Sequence, residues 1–129
     1  MKKPKPIKPT DAELSILHVL WQRGPSTVRE VWEKLNPEQG TGYTTVLKLM
    51  QIMFEKRLLA RDETARSHVY RAARSQAQTQ RQVIGHLLER VFSGSAPQLV
   101  MQALSAKKAT RAELAEIRKL LDEMEGGAK

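Results

Sequence analysis

The stretch GTGYTTVLKLMQ, residues 40–51, begins with residues typical of a loop and ends with residues typical of a buried helix. Glycine and β-branched threonine are poor helix formers, yet they stand immediately before the apolar run and within its first turn. With about 100° of rotation per residue, one face of this helix is apolar: Val46, Leu49, Met50 and Met53. The opposite face is polar: Thr44, Lys48, Gln51 and Glu55. The pattern predicts a largely buried helix that leaves one polar stripe in solvent.

Two further helices are predicted before this stretch. Thr10 and Glu13 have the spacing of a capping box, in which each side chain satisfies a free backbone N–H group of the other residue. Thr27 and Glu30 repeat that spacing. Apolar residues at helical spacing follow both pairs, and the second helix is expected to end at Asn36-Pro37.

A hairpin is predicted after the third helix. Two short segments, residues 58–63 and 67–72, flank a polar turn at residues 64–66. Three helices followed by a hairpin predict a winged helix-turn-helix domain over residues 10–74.

Residues 75–129 are predicted to be entirely helical, with three helices that begin near Ser75, Ser95 and Thr110. Their apolar residues form a seam with little else in the chain to pack on, which favours an intertwined homodimer over a self-contained bundle. The predicted dimerisation residues are Ile84, Leu87, Leu88, Val91, Leu99, Leu114, Ile117, Leu121 and Met124. The expected fold class is therefore mainly α, a winged helix-turn-helix DNA-binding domain followed by a three-helix dimerisation tail.

The third helix has the composition of a DNA recognition helix. Such a helix enters the major groove with its N-terminal residues at base edges, and short hydroxyl side chains there allow close approach to the DNA backbone. Lysine is a point charge without a planar fork, so Lys48 is expected to contact phosphate rather than to read a base. The predicted DNA-binding residues are Tyr43, Thr44, Thr45, Lys48, Gln51 and, at the wing tip, Arg66. Arg29, Arg61, Arg71 and Arg74 are individually no better than solvated surface residues.

The charge of the chain favours an anionic partner. The net charge is +8 and the pI about 10.1, which indicates nucleic acid first and an acidic membrane surface second. Residues 1–74 hold most of it, with 14 Lys and Arg against 8 Asp and Glu. Residues 1–9 alternate lysine with proline and predict a flexible basic arm, either solvated or in contact with DNA. No stretch resembles a secretory signal or a membrane span, so we expect a cytoplasmic protein without membrane insertion.

Catalysis is not expected. The chain has no cysteine, and His18, His68 and His86 lack the spacing of a metal site. No glycine-rich phosphate loop or nucleophile motif is present. We therefore predict no enzyme activity, no catalytic residue, no metal and no cofactor.

The segments TDAELSILHVLWQRGPSTVREV, YTTVLKLM and ARSHVY, together with the helical tail, resemble the BlaI/MecI family of penicillinase repressor-like transcriptional repressors. The resemblance covers roughly residues 8–125. It implies a winged-helix head, a dimerisation tail and a homodimer on a dyad-symmetric double-stranded DNA operator. Family members often pair with a membrane-bound sensor metalloprotease that cleaves them, so such a protease is a candidate partner.

The sequence departs from the family at several positions. Lys48 stands where threonine is usual, Ile52 where the recognition helix has an arginine, and Arg57 where a glycine ends that helix. In the wing, Ala65-Arg66 replaces the usual Gly-Arg pair. The operator sequence and the target genes therefore do not follow from the family.

The sequence also leaves open how the protein would be released from its operator. Gln102-Ala103 stands where the family has its Asn-Phe cleavage dipeptide, and the cysteine motif of copper-responsive relatives is absent. The sequence leaves the inducing signal open, and it does not distinguish a repressor from an activator. The alternative function is a winged-helix module for protein interaction or non-specific nucleic-acid binding. A winged helix that docks a protein is expected to expose apolar residues on its third helix. The outward stripe of this helix is polar, which favours DNA.

Overall fold

The computed structural model describes residues 8–127, and of residues 36–39 and residue 127 only the backbone. Residues 1–7, which form most of the predicted basic arm, lie outside this range. The described helices are α1 (Asp11–Arg23), α2 (Val28–Gln39), α3 (Tyr43–Glu55), α4 (Gln76–Arg90), α5 (Ala96–Ala106) and α6 (Arg111–Gly127). The strands are β1 (Ser26–Thr27), β2 (Leu59–Asp62) and β3 (Val69–Ala72). The predicted fold class is confirmed: a winged helix-turn-helix arrangement precedes a helical tail.

The chain divides into two compact units between Gly85 and His86, a point inside α4. The first unit holds the three N-terminal helices and the sheet, and the second holds α5 and α6. The predicted domain limits, residues 10–74 and 75–129, stay predictions, as does the role of the tail in dimerisation.

Local hydrogen bonds begin the helices where the sequence predicts them. At the start of α1, the N–H of Glu13 donates to Thr10 Oγ1 and the N–H of Thr10 donates to the Glu13 carboxylate. Thr27 and Glu30 form the same reciprocal pair before α2. The pairs Ser75–Gln78 and Thr110–Glu113 do so before α4 and α6. Each pair satisfies two backbone donors that a helix start leaves free.

The end of α2 differs from the prediction. The helix continues through Asn36-Pro37 and ends at Gln39. Proline lacks a backbone N–H and its ring crowds the carbonyl four residues earlier, but its fixed φ near −65° is itself a helical value. The composition of this stretch therefore did not stop the helix.

The wing is the hairpin of β2 and β3, and its predicted existence is confirmed. The two strands pair antiparallel from Leu59 opposite Ala72 to Asp62 opposite Val69. The sequence did not predict β1, whose two residues pair with the other edge of β3, Ser26 opposite Tyr70. The sheet order is therefore β1-β3-β2, which ties the start of α2 to the wing.

One hydrophobic core holds α1, α2 and α3 against the sheet. Val46, Met50 and Met53 of α3 are fully buried, and Tyr70 of β3 is 2% exposed. The other buried apolar residues are Ile16, Leu17, Leu20, Val28, Val31, Leu35, Leu58 and Leu59. Because α3 is held by this packing, its first turn can consist of weak helix formers.

A partly buried ion pair joins α1 to the end of α3. Lys56 Nζ donates to Glu13 Oε2 over 2.8 Å, and Glu13 is 2% exposed. Burial alone raises the pKa of the Glu13 carboxyl. Hydrogen bonds from Lys56 and Thr10, with the lysine charge, outweigh that effect and hold the pKa below its ordinary value. The pair therefore stabilises the docking of α3 when the carboxyl is ionised.

The chain leaves α3 through a left-handed residue. Arg57 has φ +67°, its N–H donates to Phe54 O, and the N–H of Leu58 donates to Met53 O. These two bonds form a Schellman motif, in which glycine is the usual left-handed residue. Arg57 thus occupies a strained conformation at a position that favours glycine.

Candidate nucleic-acid interface

The exposed face of α3 carries the predicted polar stripe. Thr44, Lys48, Gln51 and Glu55 are all exposed, whereas Val46, Met50 and Met53 on the opposite face are inaccessible to solvent. Tyr43 is 42% exposed, and Thr45 is also exposed. The structure therefore places five of the predicted DNA-binding residues on the accessible surface of one helix.

The turn before α3 is fixed by Trp32 of α2. The indole N–H of Trp32 donates to the carbonyl of Thr41 over 2.9 Å, and its ring meets Tyr43 edge to face at 5.9 Å. Gly40 has φ +60°, which a residue without a Cβ adopts readily. Gly42 is the N-cap and supplies no side-chain hydrogen bond to the helix. The positive end of the α3 dipole thus has no side-chain cap at the residue before Tyr43.

A cleft of about 470 Å³ lies beside this stripe. Tyr43 and Gln51 of α3 and Arg66 of the wing line it, so three predicted DNA-binding residues from two elements come together there. The remaining lining residues are Thr27, Val28, Arg29, Leu47, Ser67, His68 and Tyr70. Thr44, Thr45 and Lys48 are exposed on α3 but do not line the cleft.

Among the lining residues that were not predicted as part of the interface, two have basic side chains. Arg29, at the start of α2, and His68, at the end of the wing loop, both line the cleft. They meet there because β1 pairs with β3, with Thr27 opposite Val69. No local pattern in the sequence indicates this pairing, since β1 has only two residues.

Hydrogen bonds to the Asp62 side chain order the start of the wing loop. The carboxylate of Asp62 accepts the N–H of Thr64 over 2.9 Å and its hydroxyl over 2.7 Å. The bond from the backbone N–H has the largest effect, and together the two bonds hold the pKa of Asp62 below its ordinary value. Arg66 is exposed near the tip. Arg61, expected to be solvated, instead lies against the Phe54 ring, with its guanidinium carbon 3.9 Å from the ring centroid.

The predicted dimerisation residues are accessible in the single chain. Val91 and Met124 are 64% and 63% exposed, and Ile84 and Leu121 are also classed as exposed. The others are partly buried: Leu87, Leu88, Leu99, Leu114 and Ile117. None of the nine is covered completely by the chain itself.

Among the side chains that the structure describes, no group of three or more His, Asp or Glu residues is placed to hold a metal ion. Over residues 8–127, no helix combines the length and the apolar character needed to cross a membrane.

Comparisons with known proteins agree with this geometry. A family model described as "Penicillinase repressor" matches residues 9–123. Two curated relatives are each named "Transcriptional regulator BlaI", from Mycobacterium tuberculosis strains CDC 1551 / Oshkosh and ATCC 25618 / H37Rv. Each is 36% identical over 61 residues, which are 46% of this chain and 44% of the relative. The matched region therefore spans less than half the length of these relatives.

Proposed function

Because the chain belongs to the penicillinase repressor family, we propose that it is a sequence-specific DNA-binding regulator that represses transcription. In this proposal two copies form a homodimer on a dyad-symmetric operator. Each copy places the N-terminal half of α3 in a major groove and its wing beside the adjoining backbone. Occupancy of the promoter then blocks transcription.

The observation that carries the proposal is the polar face of α3 beside the cleft that Arg66 lines. Short hydroxyl side chains at Thr44 and Thr45 allow the helix to approach DNA closely, and Lys48 and Arg66 supply phosphate contacts. Glu55, one turn beyond Gln51, is repelled by phosphate, which favours entry of the N-terminal half alone. The core of a protein–protein interface is usually apolar. The exposed stripe of α3 is polar, which supports DNA over a protein partner.

Exposed apolar side chains of the tail support the homodimer. Val91, Met101 and Met124 are each more than 60% exposed, and of the large apolar side chains that are exposed in the described residues, all but Tyr43 belong to the tail. Such a concentration of exposed apolar side chains is typical of an interaction surface. A second copy of the chain would cover them and link two heads. Bivalent binding then raises affinity well above that of a single head, and distortion of the tail removes that gain.

A membrane-bound sensor protease is a further proposed partner, through cleavage of the tail. The Gln102-Ala103 bond lies within α5 and both residues are exposed. Cleavage requires local unwinding of the helix, because a protease needs access to the backbone. Co-expression with a sensor protease that partners a repressor of the family, followed by mass spectrometry of the tail, tests this partnership.

Selection of bound duplexes from fragmented genomic DNA, followed by footprinting at two salt concentrations, tests the function. We expect a dyad-symmetric footprint. If Lys48 and Arg66 of both copies contact phosphates, log affinity falls with log salt with a slope of roughly −3.6, about tenfold for a doubling of salt. Weak binding without sequence preference would instead support the non-specific module.

Single substitutions test the assignment of residues. Thr44→Ala and Lys48→Ala should each weaken binding without loss of helical circular dichroism, and Lys48→Ala should reduce the salt slope by roughly 2 per dimer. Glu55→Gln, on the same face but one helical turn beyond Gln51, is the matched control and should not weaken binding. Unchanged affinity in both alanine variants would contradict the assignment of these side chains.

A further inference from the structure

Arg61 of β2 connects the wing to α3. Its side chain is 19% exposed, and its guanidinium carbon lies 3.9 Å from the centroid of the Phe54 ring. Nη1 lies 3.4 Å from the hydroxyl of Tyr70 on β3, and Nε donates to the Glu63 carboxylate over 2.7 Å. One guanidinium therefore contacts the helix and both sides of the hairpin.

Only an arginine provides this set of contacts. A guanidinium is planar and always charged, so it can stack on an aromatic face while its edge donates hydrogen bonds in fixed directions. The compact ammonium of lysine keeps the charge but has no plane to stack. The hydrogen-bond partners on β3 and in the wing loop hold the Arg61 plane against Phe54.

The base of the wing is anchored in the core, where Leu59 and Tyr70 are each 2% exposed, but its support weakens toward the tip. The edge strand β2 has four residues, and its last pair is Asp62 opposite Val69. Residues 63–68 lie beyond that pair and outside the sheet, so local contacts set the position of the tip. At about 3.3 Å per residue, a tip three residues beyond the last pair lies roughly 10 Å away, and a rotation of about 15° moves it by about 3 Å. Such a shift is enough to break a phosphate contact.

We propose that Arg61 is a positioning residue that holds the wing against α3, so that Arg66 and Lys48 reach the same stretch of DNA backbone. Its guanidinium acts through the wing rather than on DNA, since it lies against the Phe54 ring and its nitrogens donate to Tyr70 and Glu63. The part that concerns DNA rests on the proposed function, whereas the orientation of the wing is a property of the free protein.

The free protein tests the positioning directly. In Arg61→Lys, amide hydrogen exchange in β2 and β3 should become roughly threefold to tenfold faster, while exchange in α1 stays unchanged. Arg71 is an exposed arginine of the same hairpin, so Arg71→Lys is the matched control. It should leave the exchange rates of the wing and of α1 unchanged. Wild-type exchange rates in the wing of Arg61→Lys would overturn the proposal, whether or not the protein binds DNA.

Binding to a mixed-sequence duplex of about 30 base pairs tests the consequence for DNA. Arg61→Lys should weaken binding about fivefold and reduce the salt slope as Arg66→Ala does. In an Arg66→Ala background, Arg61→Lys should have no further effect, because the contact it positions is already lost. Full rescue by lysine would identify Arg61 as a direct phosphate contact and overturn the positioning role. If the wild type shows no salt-dependent binding, the proposed function fails, and the exchange rates still decide the role of Arg61 in the wing.

Discussion

Replacement of Lys56 by methionine tests how the recognition helix is held in place. Lys56 Nζ lies 2.8 Å from the Glu13 carboxylate, which is 2% exposed and also accepts the N–H of Thr10. Lys56→Met keeps the length and apolar part of the side chain but removes its charge. The carboxylate then stays buried without its cation.

The expected loss is about 2 kcal/mol of unfolding free energy at pH 7. Removal of one partner from a fully buried ion pair costs roughly 3–5 kcal/mol. The lysine side chain is 33% exposed, so water can partly replace it, and the hydrogen bonds with Thr10 remain. Both facts lower the expected cost to the region of about 1.5–3 kcal/mol.

The loss should depend on pH. In the wild type the folded-state pKa of Glu13 lies below its ordinary value of 4.5. Its contribution to stability is therefore fully present above that value and disappears as the pH falls through the folded-state pKa. In Lys56→Met, burial raises the pKa of Glu13, and protonation relieves the buried charge as the pH falls. The difference between the two proteins should narrow from pH 7 to about pH 4.

Urea unfolding followed by tryptophan fluorescence measures this difference. Trp21 and Trp32 both lie in the first compact unit, so the signal reports on the head. Protein concentration is kept constant because the proposed homodimer would make stability depend on it. Lys34→Met, an exposed lysine of α2, is the matched control and should change stability by less than about 0.5 kcal/mol. A loss in Lys56→Met no larger than in this control, or one that stays constant with pH, would refute the reasoning.

Two further predictions concern the ends of α3. Arg57→Gly should raise the unfolding free energy by about 0.5–1 kcal/mol, because relief of the left-handed strain exceeds the added entropy of an unfolded glycine. Arg57→Ala keeps a Cβ at φ +67°, so the same urea assay should show no such gain, and an equal gain in both variants would contradict the explanation. Trp32→Phe removes the donor to the Thr41 carbonyl and should cost about 1 kcal/mol, measured by circular dichroism because one of the fluorophores is lost. It should also weaken DNA binding about fivefold, and unchanged binding would mean that the turn before α3 does not depend on this bond.

Interactions between neighbours in the chain made much of the fold predictable. The four capping pairs join residues three apart, and the two faces of α3 follow from helical periodicity. The exposed stripe with Thr44 and Lys48 could therefore be predicted from the sequence alone. The use of proline as a helix stop gave an incorrect end for α2, because the φ of proline is itself a helical value and the helix continues to Gln39.

Contacts between distant residues were decided by the tertiary structure. Lys56 and Glu13 are 43 positions apart, and the two residues of β1 bring Arg29 to the cleft only because they pair with β3. The sequence predicts a solvated Arg61, since its contact with Phe54 depends on how the hairpin folds back on α3. A single sequence records the periodicity of each element but not the distances between elements. Those distances are set by the packing of the whole core, and they determine which charges meet at the interface.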